Sequence, residues 1–323
     1  MTAIKLPGEA SQQGHDAYHA LLERCRALEP VLTAVAYPCE ATVLMGCVEA
    51  AEAGLISPIL VGPRQKICQV ATDAGLNIDH CPIEDVSDAH AAAAKAVELV
   101  RAAGAEALMK GSLHTDELMI AVVSSSNGLR TSRRISHAFI MSVPTYPKPL
   151  VITDAAINIA PTLEEKRDIC QNAIDLAHSL GLSLPKVAIL SAVETVTTKI
   201  PSTIDAAALC KMADRGQITG ALLDGPLALD NAINAIAAKT KGIASEVAGD
   251  ADILVAPDLE AGNVLAKLLT FLANADAAGL VLGARVPIIL TSRADNVRTR
   301  MASCAIAALV AHARRSGEAE AHR

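Results

Sequence analysis

The stretch Thr291-Ser292-Arg293-Ala294-Asp295 gathers a hydroxyl, a guanidinium and a carboxylate between an apolar run, 286–290, and a helix-forming segment that starts near Asn296. A strand that delivers Ser and Arg to a helix start makes an anion site. First-turn N–H groups lack intrahelical partners there, and the helix dipole is positive at that end. Arg293 adds a planar pair of donors suited to phosphate or to an oxyanion. The Ser292 hydroxyl can donate to a developing negative charge. The same residues also read as a helix cap, Ser292 or Asp295, with Arg293 in solvent.

Two further stretches carry similar chemistry. Asn127-Gly128-Leu129-Arg130-Thr131-Ser132-Arg133-Arg134 holds three arginines in five positions of an acidic chain, net charge −7. That is either a local field that draws a multiply anionic substrate or a solvated loop face. Lys110-Gly111-Ser112-Leu113-His114-Thr115-Asp116 places donors after a strand, with a glycine that lets backbone approach a ligand. Its bland reading is a turn in which Ser112 or Thr115 caps the next helix. His114 and His137 are the histidines near these stretches, and each reads best as an ordinary loop or strand-edge residue.

Composition excludes several classes. Apolar residues make up 51% of the 323, too many for disorder. Eight cysteines without a C-x-x-C pair are too sparse for a disulfide scaffold and read as reduced, mostly buried thiols. Acidity and an aromatic content of 2% argue against a nucleic-acid binder. Met1 to His19 is polar, without a leader's apolar core, and the apolar stretch 264–289 is broken by Lys267, Asp276 and Arg285. A cytoplasmic protein with no membrane span is expected. Walker and G-x-G-x-x-G loops, zinc spacings and the G-x-S-x-G elbow are missing from the sequence.

The elements that must position these groups alternate. Strands are expected at 34–37, 58–61, 107–109, 134–143, 150–153, 187–190, 221–223, 253–255 and 286–290. Helices are expected at 42–53, from a Ser87 cap to 100, from a Thr162/Glu165 capping box to 180, and at 204–214, 261–273 and 296–313. This is an α/β chain with a mainly parallel sheet and helices on both faces. Ligands of such sheets sit beyond the carboxyl ends of the strands. That rule points to Lys110-Gly111-Ser112, Thr153-Asp154, Asp224-Gly225, Pro257-Asp258 and Thr291-Ser292-Arg293. The proline-rich segment 143–149 marks a domain crossing.

Seven segments in order then resemble one family, the phosphate acetyl/butyryl transferases, or phosphotransacylases. They are Lys110-Gly-Ser-Leu-His-Thr115, Gly128-Leu-Arg-Thr131, Ile152-Thr-Asp-Ala-Ala-Ile-Asn-Ile-Ala-Pro161, Lys186-Val-Ala-Ile-Leu-Ser191, Asp224-Gly-Pro-Leu-Ala228 with Asp230, Pro257-Asp-Leu-Glu-Ala-Gly-Asn263, and Leu290-Thr-Ser-Arg-Ala-Asp295. The resemblance implies two α/β/α domains with a central cleft, like the isocitrate/isopropylmalate dehydrogenases. Residues 1–148 would form the first domain and 149–285 the second, with 286–323 returning to the first. It implies reversible transfer of an acetyl or butyryl group between CoA and inorganic phosphate. No cofactor or metal is implied, the subunits would be homodimers, and an acyl kinase would be the functional partner.

The resemblance further implies catalytic roles for Ser292, Arg293 and Asp295. Substrate binding falls to Lys110, Ser112, Thr115, Arg130, Arg133, Asp154, Asn158, Asp258 and Asn263. Phosphate held by Arg293, with Lys110 or Arg133, would attack the thioester while Ser292 and Arg293 stabilise the oxyanion. One departure concerns the base. The acetyl-specific branch has an Asp seven residues after the Ser, where this chain has Thr299, and Thr-Ser-Arg-Ala-Asp is the butyryl-branch pattern. Asp295 is then the acid in reach. Two rival functions are a decarboxylating hydroxyacid dehydrogenase with Asp224 and Asp258 on a metal, and a non-catalytic CoA or acyl-phosphate binding protein.

Overall fold

The computed structural model describes residues 10–292 and 295–317. The first half contains α1 (Ala10–Cys25), β1 (Val31–Ala36), α2 (Ala41–Glu52), β2 (Ile56–Gly62), α3 (Arg64–Ala74), β3 (Ile83–Asp85), α4 (Ala89–Arg101), β4 (Ala107–Lys110), α5 (Thr115–Val123) and β5 (Ser136–Ser142). Then follow β6 (Leu150–Thr153), α6 (Leu163–Ser179), β7 (Lys186–Leu190), α7 (Pro201–Asp214), β8 (Leu222–Leu227), α8 (Leu229–Ile233), α9 (Ala235–Thr240), β9 (Ile253–Val255), α10 (Leu259–Leu272), β10 (Asp276–Leu282), β11 (Ile288–Ile289) and α11 (Val297–Arg315).

The strands form one sheet in the order β3-β2-β1-β4-β11-β10-β5-β6-β9-β7-β8. The first five are parallel, and so are the last four. Between them lie three successive antiparallel pairings, β11 with β10, β10 with β5 and β5 with β6. An odd number of reversals makes the two parallel blocks run in opposite senses. The carboxyl ends of β1, β4 and β11 therefore leave one edge of the sheet, and those of β6, β7, β8 and β9 leave the other. This corrects the expectation that all the strand-end loops gather at one end.

The two sheet faces are covered differently. On one face a single large core spans both blocks, with Cys170, Ile174 and Ala177 of α6 and Ala305, Ile306 and Val310 of α11 against Val35, Val151, Leu280 and Ile289. On the opposite face the apolar packing splits in two. One cluster joins Ala92, Ala96 and Val97 of α4 to Leu108, Val281 and Ile288. The other joins Ile152, Ala188 and Leu254 to Ala266 of α10. These two clusters part along the central strands β5 and β10.

Local chemistry explains the elements. Thr162 and Glu165 form the expected capping box on α6. On α4 the cap is Asp88 rather than Ser87: its carboxylate accepts the Ala91 N–H at 2.9 Å while the Ser87 hydroxyl donates to it at 2.6 Å. A carboxylate is the stronger acceptor at a positive helix end. Strand β8 runs on through Asp224-Gly225-Pro226, which the sequence reading took as its end. It lies at the sheet edge, where proline's missing N–H leaves no ladder bond unmade. Among the described residues no helix is long and apolar enough to cross a membrane.

Candidate active site

Strands β4 and β1 end side by side, and a glycine fixes how. The Gly111 and Ser112 N–H groups donate to the Ala36 and Tyr37 carbonyls at 2.9 and 2.8 Å. A Cβ on Gly111 would lie 2.2 Å from the Ala36 oxygen. The glycine thus serves backbone-to-backbone contact between strands, whereas the sequence suggested approach to a ligand. The turn it makes leaves Lys110 and Ser112 almost buried at the sheet edge. The Ser112 Oγ is buried with no hydrogen-bond partner among the described residues. Thr115 is the first residue of α5, while the preceding His114 N–H is held by Glu117 Oε2 at 2.7 Å.

Strand β11 ends beside β4 and feeds the second loop. Here Arg293 lies outside the described residues. Ser292 is exposed, and its N–H donates to Asp295 Oδ2 at 2.6 Å. The cap of α11 is Asn296, whose side chain accepts the Thr299 N–H at 2.9 Å. Asp295 is therefore tied to the Ser292 amide, and the helix-cap reading of Ser292 and Asp295 is replaced by Asn296.

Beneath the loop lies Arg300, 1% exposed. Its Nη1 donates to Thr291 Oγ1 at 2.6 Å and its Nη2 to the Ser292 carbonyl at 3.0 Å. Gly46 of α2 makes room for it, since a Cβ there would sit 2.8 Å from Arg300 Cδ. Arg300 thus clamps the Ser292 backbone from below.

Charge converges on Asp295. Burial pushes its carboxyl above the usual range, opposed by the Ser292 N–H and by the cations Arg300, Lys110 and Lys267. These cations come from α11, from the end of β4 and from α10, so both parallel blocks contribute. Sequence reasoning missed Arg300 and Lys267. The available signal was a lone lysine inside the otherwise apolar run Val264-Leu-Ala-Lys-Leu-Leu269.

The other strand-end residues do different work. The Asp154 carboxylate accepts the Ala156, Ile157 and Asn158 N–H groups at 2.9, 3.0 and 3.2 Å and the Asn158 Nδ2 at 2.5 Å. Asn158 also takes Arg134 Nε at 2.6 Å and donates to the Ile135 carbonyl at 2.9 Å. Asn263 donates to the Ala155 carbonyl at 3.0 Å, and Asp258 caps α10 through the Ala261 N–H at 2.8 Å. These four residues build the 154–158 loop and the start of α10. Between the two loop groups lies buried His137 on β5. Burial draws its pKa down to about 4, against the Asp154 carboxylate and the Leu290 carbonyl, so the ring is neutral at pH 7.

Arg133 stands apart from this site, pairing with Asp175 of α6 at 2.5 Å on the single-core face of the sheet, while Arg130 is exposed and bridges by backbone to Ala284. Among the described residues no cluster of three or more His, Cys, Asp or Glu is placed to hold a metal ion. Asp258 caps a helix, and Asp224 Oδ1 accepts the Gly225 N–H at 2.8 Å.

Two opposed α/β blocks thus bring cations and a hydroxyl around a half-buried acid, an arrangement suited to anionic ligands. The phosphate acetyl/butaryl transferase family model matches residues 86–308. A phosphate acetyltransferase of Rhizobium meliloti is 65% identical over 304 residues, 94% of this chain and 96% of that protein. The crystal structure of a branched-chain phosphotransacylase from Enterococcus faecalis V583 superposes with a TM-score of 0.76 at 31% identity, covering 87% of this chain and 99% of that one. A 4-hydroxythreonine-4-phosphate dehydrogenase from Klebsiella pneumoniae shares the fold at a TM-score of 0.54 and 12% identity, covering 87% of this chain and 99% of that one. The chain belongs to the phosphate acetyl/butaryl transferase family and is an acyltransferase on a dehydrogenase-like α/β fold. Because that fold also houses dehydrogenases, the family match rather than the architecture sets aside the hydroxyacid dehydrogenase reading.

Proposed function

We propose that this chain transfers an acetyl group reversibly between CoA and inorganic phosphate at the cleft end lined by Ser292, Asp295, Lys110 and Lys267. The single observation that carries the site is the convergence of Lys110, Lys267 and Arg300, from three elements of both blocks, on the half-buried Asp295. Phosphate and CoA are both strongly anionic, and this is a locally cationic place on an acidic chain. Acetyl is chosen over longer acyl groups because the 65%-identical relative is a phosphate acetyltransferase.

The step needs positioning and charge stabilisation. Phosphate, held by Lys110 and Arg293, attacks the thioester carbonyl with one oxygen. The tetrahedral oxyanion takes hydrogen bonds from Ser292 and Arg293. Collapse breaks the C–S bond, forms acyl phosphate and releases CoA thiolate, which picks up a proton. In reverse, the Asp295 carboxylate receives the thiol proton. Its place among cations, within hydrogen-bond reach of the Ser292 backbone, suits that role. Written this way the reaction balances with CoA and phosphate as substrates and no cofactor.

The domain reading follows the same logic. Residues 1–148 and 286–323 form one lobe and 149–285 the other, supported by the pairing of β11 with β4. We further infer a homodimer, supported by an exposed apolar stripe on α10, Val264, Leu268, Phe271 and Leu272. An acyl kinase is the class of enzyme that would consume the acyl phosphate, and a cytoplasmic location fits its reduced cysteines. The test is thiol release from acetyl-, propionyl- and butyryl-CoA with and without phosphate. Phosphate-dependent release, fastest with acetyl-CoA, is expected. Binding of CoA without thiol release would reduce the protein to a sensor.

A further inference from the structure

On the single-core face of the sheet lies a cavity of about 700 Å³, within the range of about 300–1,000 Å³ usual for small-ligand pockets. Its floor is Ile140 of β5, Val151 of β6 and Ala278 of β10. Its walls come from α1, from α11 and from the turn that follows α6. Alanine makes the room. Ala20, Ala177, Ala277, Ala278 and Ala302 all line it, where larger side chains would close it. Lys110, Lys267, Ser292, Asp295 and Arg300 are not among the lining residues, so the cavity is distinct from the strand-end site.

The lining is mostly apolar, and its two carboxylates are already in ion pairs. Arg298 holds Asp276 with two hydrogen bonds, at 2.9 and 2.8 Å. Lys148 holds Asp252 at 2.6 Å. The Arg24 guanidinium differs. It is exposed, has no carboxylate partner among the described residues, and donates from Nη2 to the Leu180 carbonyl at 2.9 Å. That bond pins it over the turn at the lip of the cavity, where Leu182 and Leu184 are also exposed. An apolar chamber with one cation at its lip complements an amphiphile with one anionic head. The chain enters and sheds its hydrated surface, while the head stays in water beside the cation. The Asp252 and Asp276 carboxylates in the same lining disfavour a head of higher charge, such as a phosphate.

We propose that this cavity binds a medium-chain fatty carboxylate, with its chain against β5, β6 and β10 and its head on Arg24. The site shares no residue with the acyl-transfer site, and either reading can fail without the other.

The test is calorimetric titration of the full chain with hexanoate, octanoate and decanoate, with 1-octanol as the uncharged control. Saturable binding is expected, tightening about tenfold for each two methylenes added, since each methylene leaves water. Arg24→Ala is expected to weaken octanoate about three- to fivefold, as for loss of an exposed ion pair, and to leave octanol unmoved. Ala20→Trp, at an exposed helix position, is expected to fill the cavity and abolish binding of both. Thiol release is expected to stay within about twofold of wild type in both variants, since surface changes away from a site are near neutral. Absence of saturable binding overturns the proposal. So does an affinity that ignores chain length or survives Ala20→Trp, and so does an octanoate affinity unmoved by both Arg24→Ala and Arg24→Glu.

Discussion

Arg300→Met separates the geometry of the Ser292 loop from the stability of the fold. Methionine keeps much of the buried volume beside Gly46 but removes both clamps, to Thr291 Oγ1 at 2.6 Å and to the Ser292 carbonyl at 3.0 Å. Each is a hydrogen bond from a charged donor, worth about 1.5–3 kcal/mol. Against this, the variant removes a buried charge whose Nε has no hydrogen-bond partner among the described residues. Replacing buried charge by well-packed apolar groups is often close to neutral. The net stability loss is therefore expected to be modest, about 1–2 kcal/mol, a few degrees in Tm. Activity is expected to fall much further, about 100-fold in kcat, because a misplacement near 1 Å of an oxyanion donor costs that much. Loss of a cation facing Asp295 also leaves burial less opposed, so the carboxyl moves up again and the acid limb of the kcat–pH profile moves to higher pH. The assay is acetyl phosphate-dependent CoA acylation across pH, alongside thermal unfolding. Wild-type kcat with an unmoved acid limb in a folded Arg300→Met sample would refute the clamp.

Other outcomes follow from the same contacts. Gly111→Ala drives a methyl to 2.2 Å from the Ala36 carbonyl and should markedly lower the unfolding midpoint or the soluble yield. His137 takes up its proton near pH 6.5 when unfolded but only at about 4 when folded. Its share of stability is therefore present above 6.5 and lost as pH falls toward 4, about 3 kcal/mol in all. Thermal melts of wild type against His137→Leu over that window read it. Asp295 has the opposite sign: its raised carboxyl favours the folded state on protonation, so Asp295→Asn should stabilise the protein above that pKa while slowing the reverse reaction. A thiol reagent at pH 7.5 should label Cys68 first. Cys68 is exposed, whereas burial lifts the Cys25, Cys39, Cys170, Cys210 and Cys304 thiols to about 11–12.

Much of the fold was legible because β–α alternation is written in local patterns. The apolar run 107–109, the Thr162/Glu165 box and the alanine-rich 296–313 segment all appear as elements. The reversal between the two blocks was not. It comes from the antiparallel pair β5–β6, strands joined by the short proline-rich segment 143–149 that reads in sequence as a domain crossing. Strand β10, antiparallel to both β11 and β5, adds two reversals that cancel, and its alanines and glycine have weak strand propensity. The Ser292 and Lys110 loops were legible, because strand end plus hydroxyl plus cation is a local pattern. Lys267 and Arg300 were not, since each reaches the site across a helix face that no spacing rule aims. Arg133 shows the converse: three arginines close in sequence say nothing about which face of the sheet they occupy.

The most direct measurement is phosphate-dependent thiol release from acetyl-CoA by wild type and by Ser292→Ala, a change at an exposed position that leaves the fold intact. Wild type should release CoA only when phosphate is present, and Ser292→Ala should lose about 10²–10³ in kcat with little change in KM for acetyl-CoA. Release of equal size without phosphate, or a Ser292→Ala enzyme within a few-fold of wild type, would contradict transfer to phosphate at this loop.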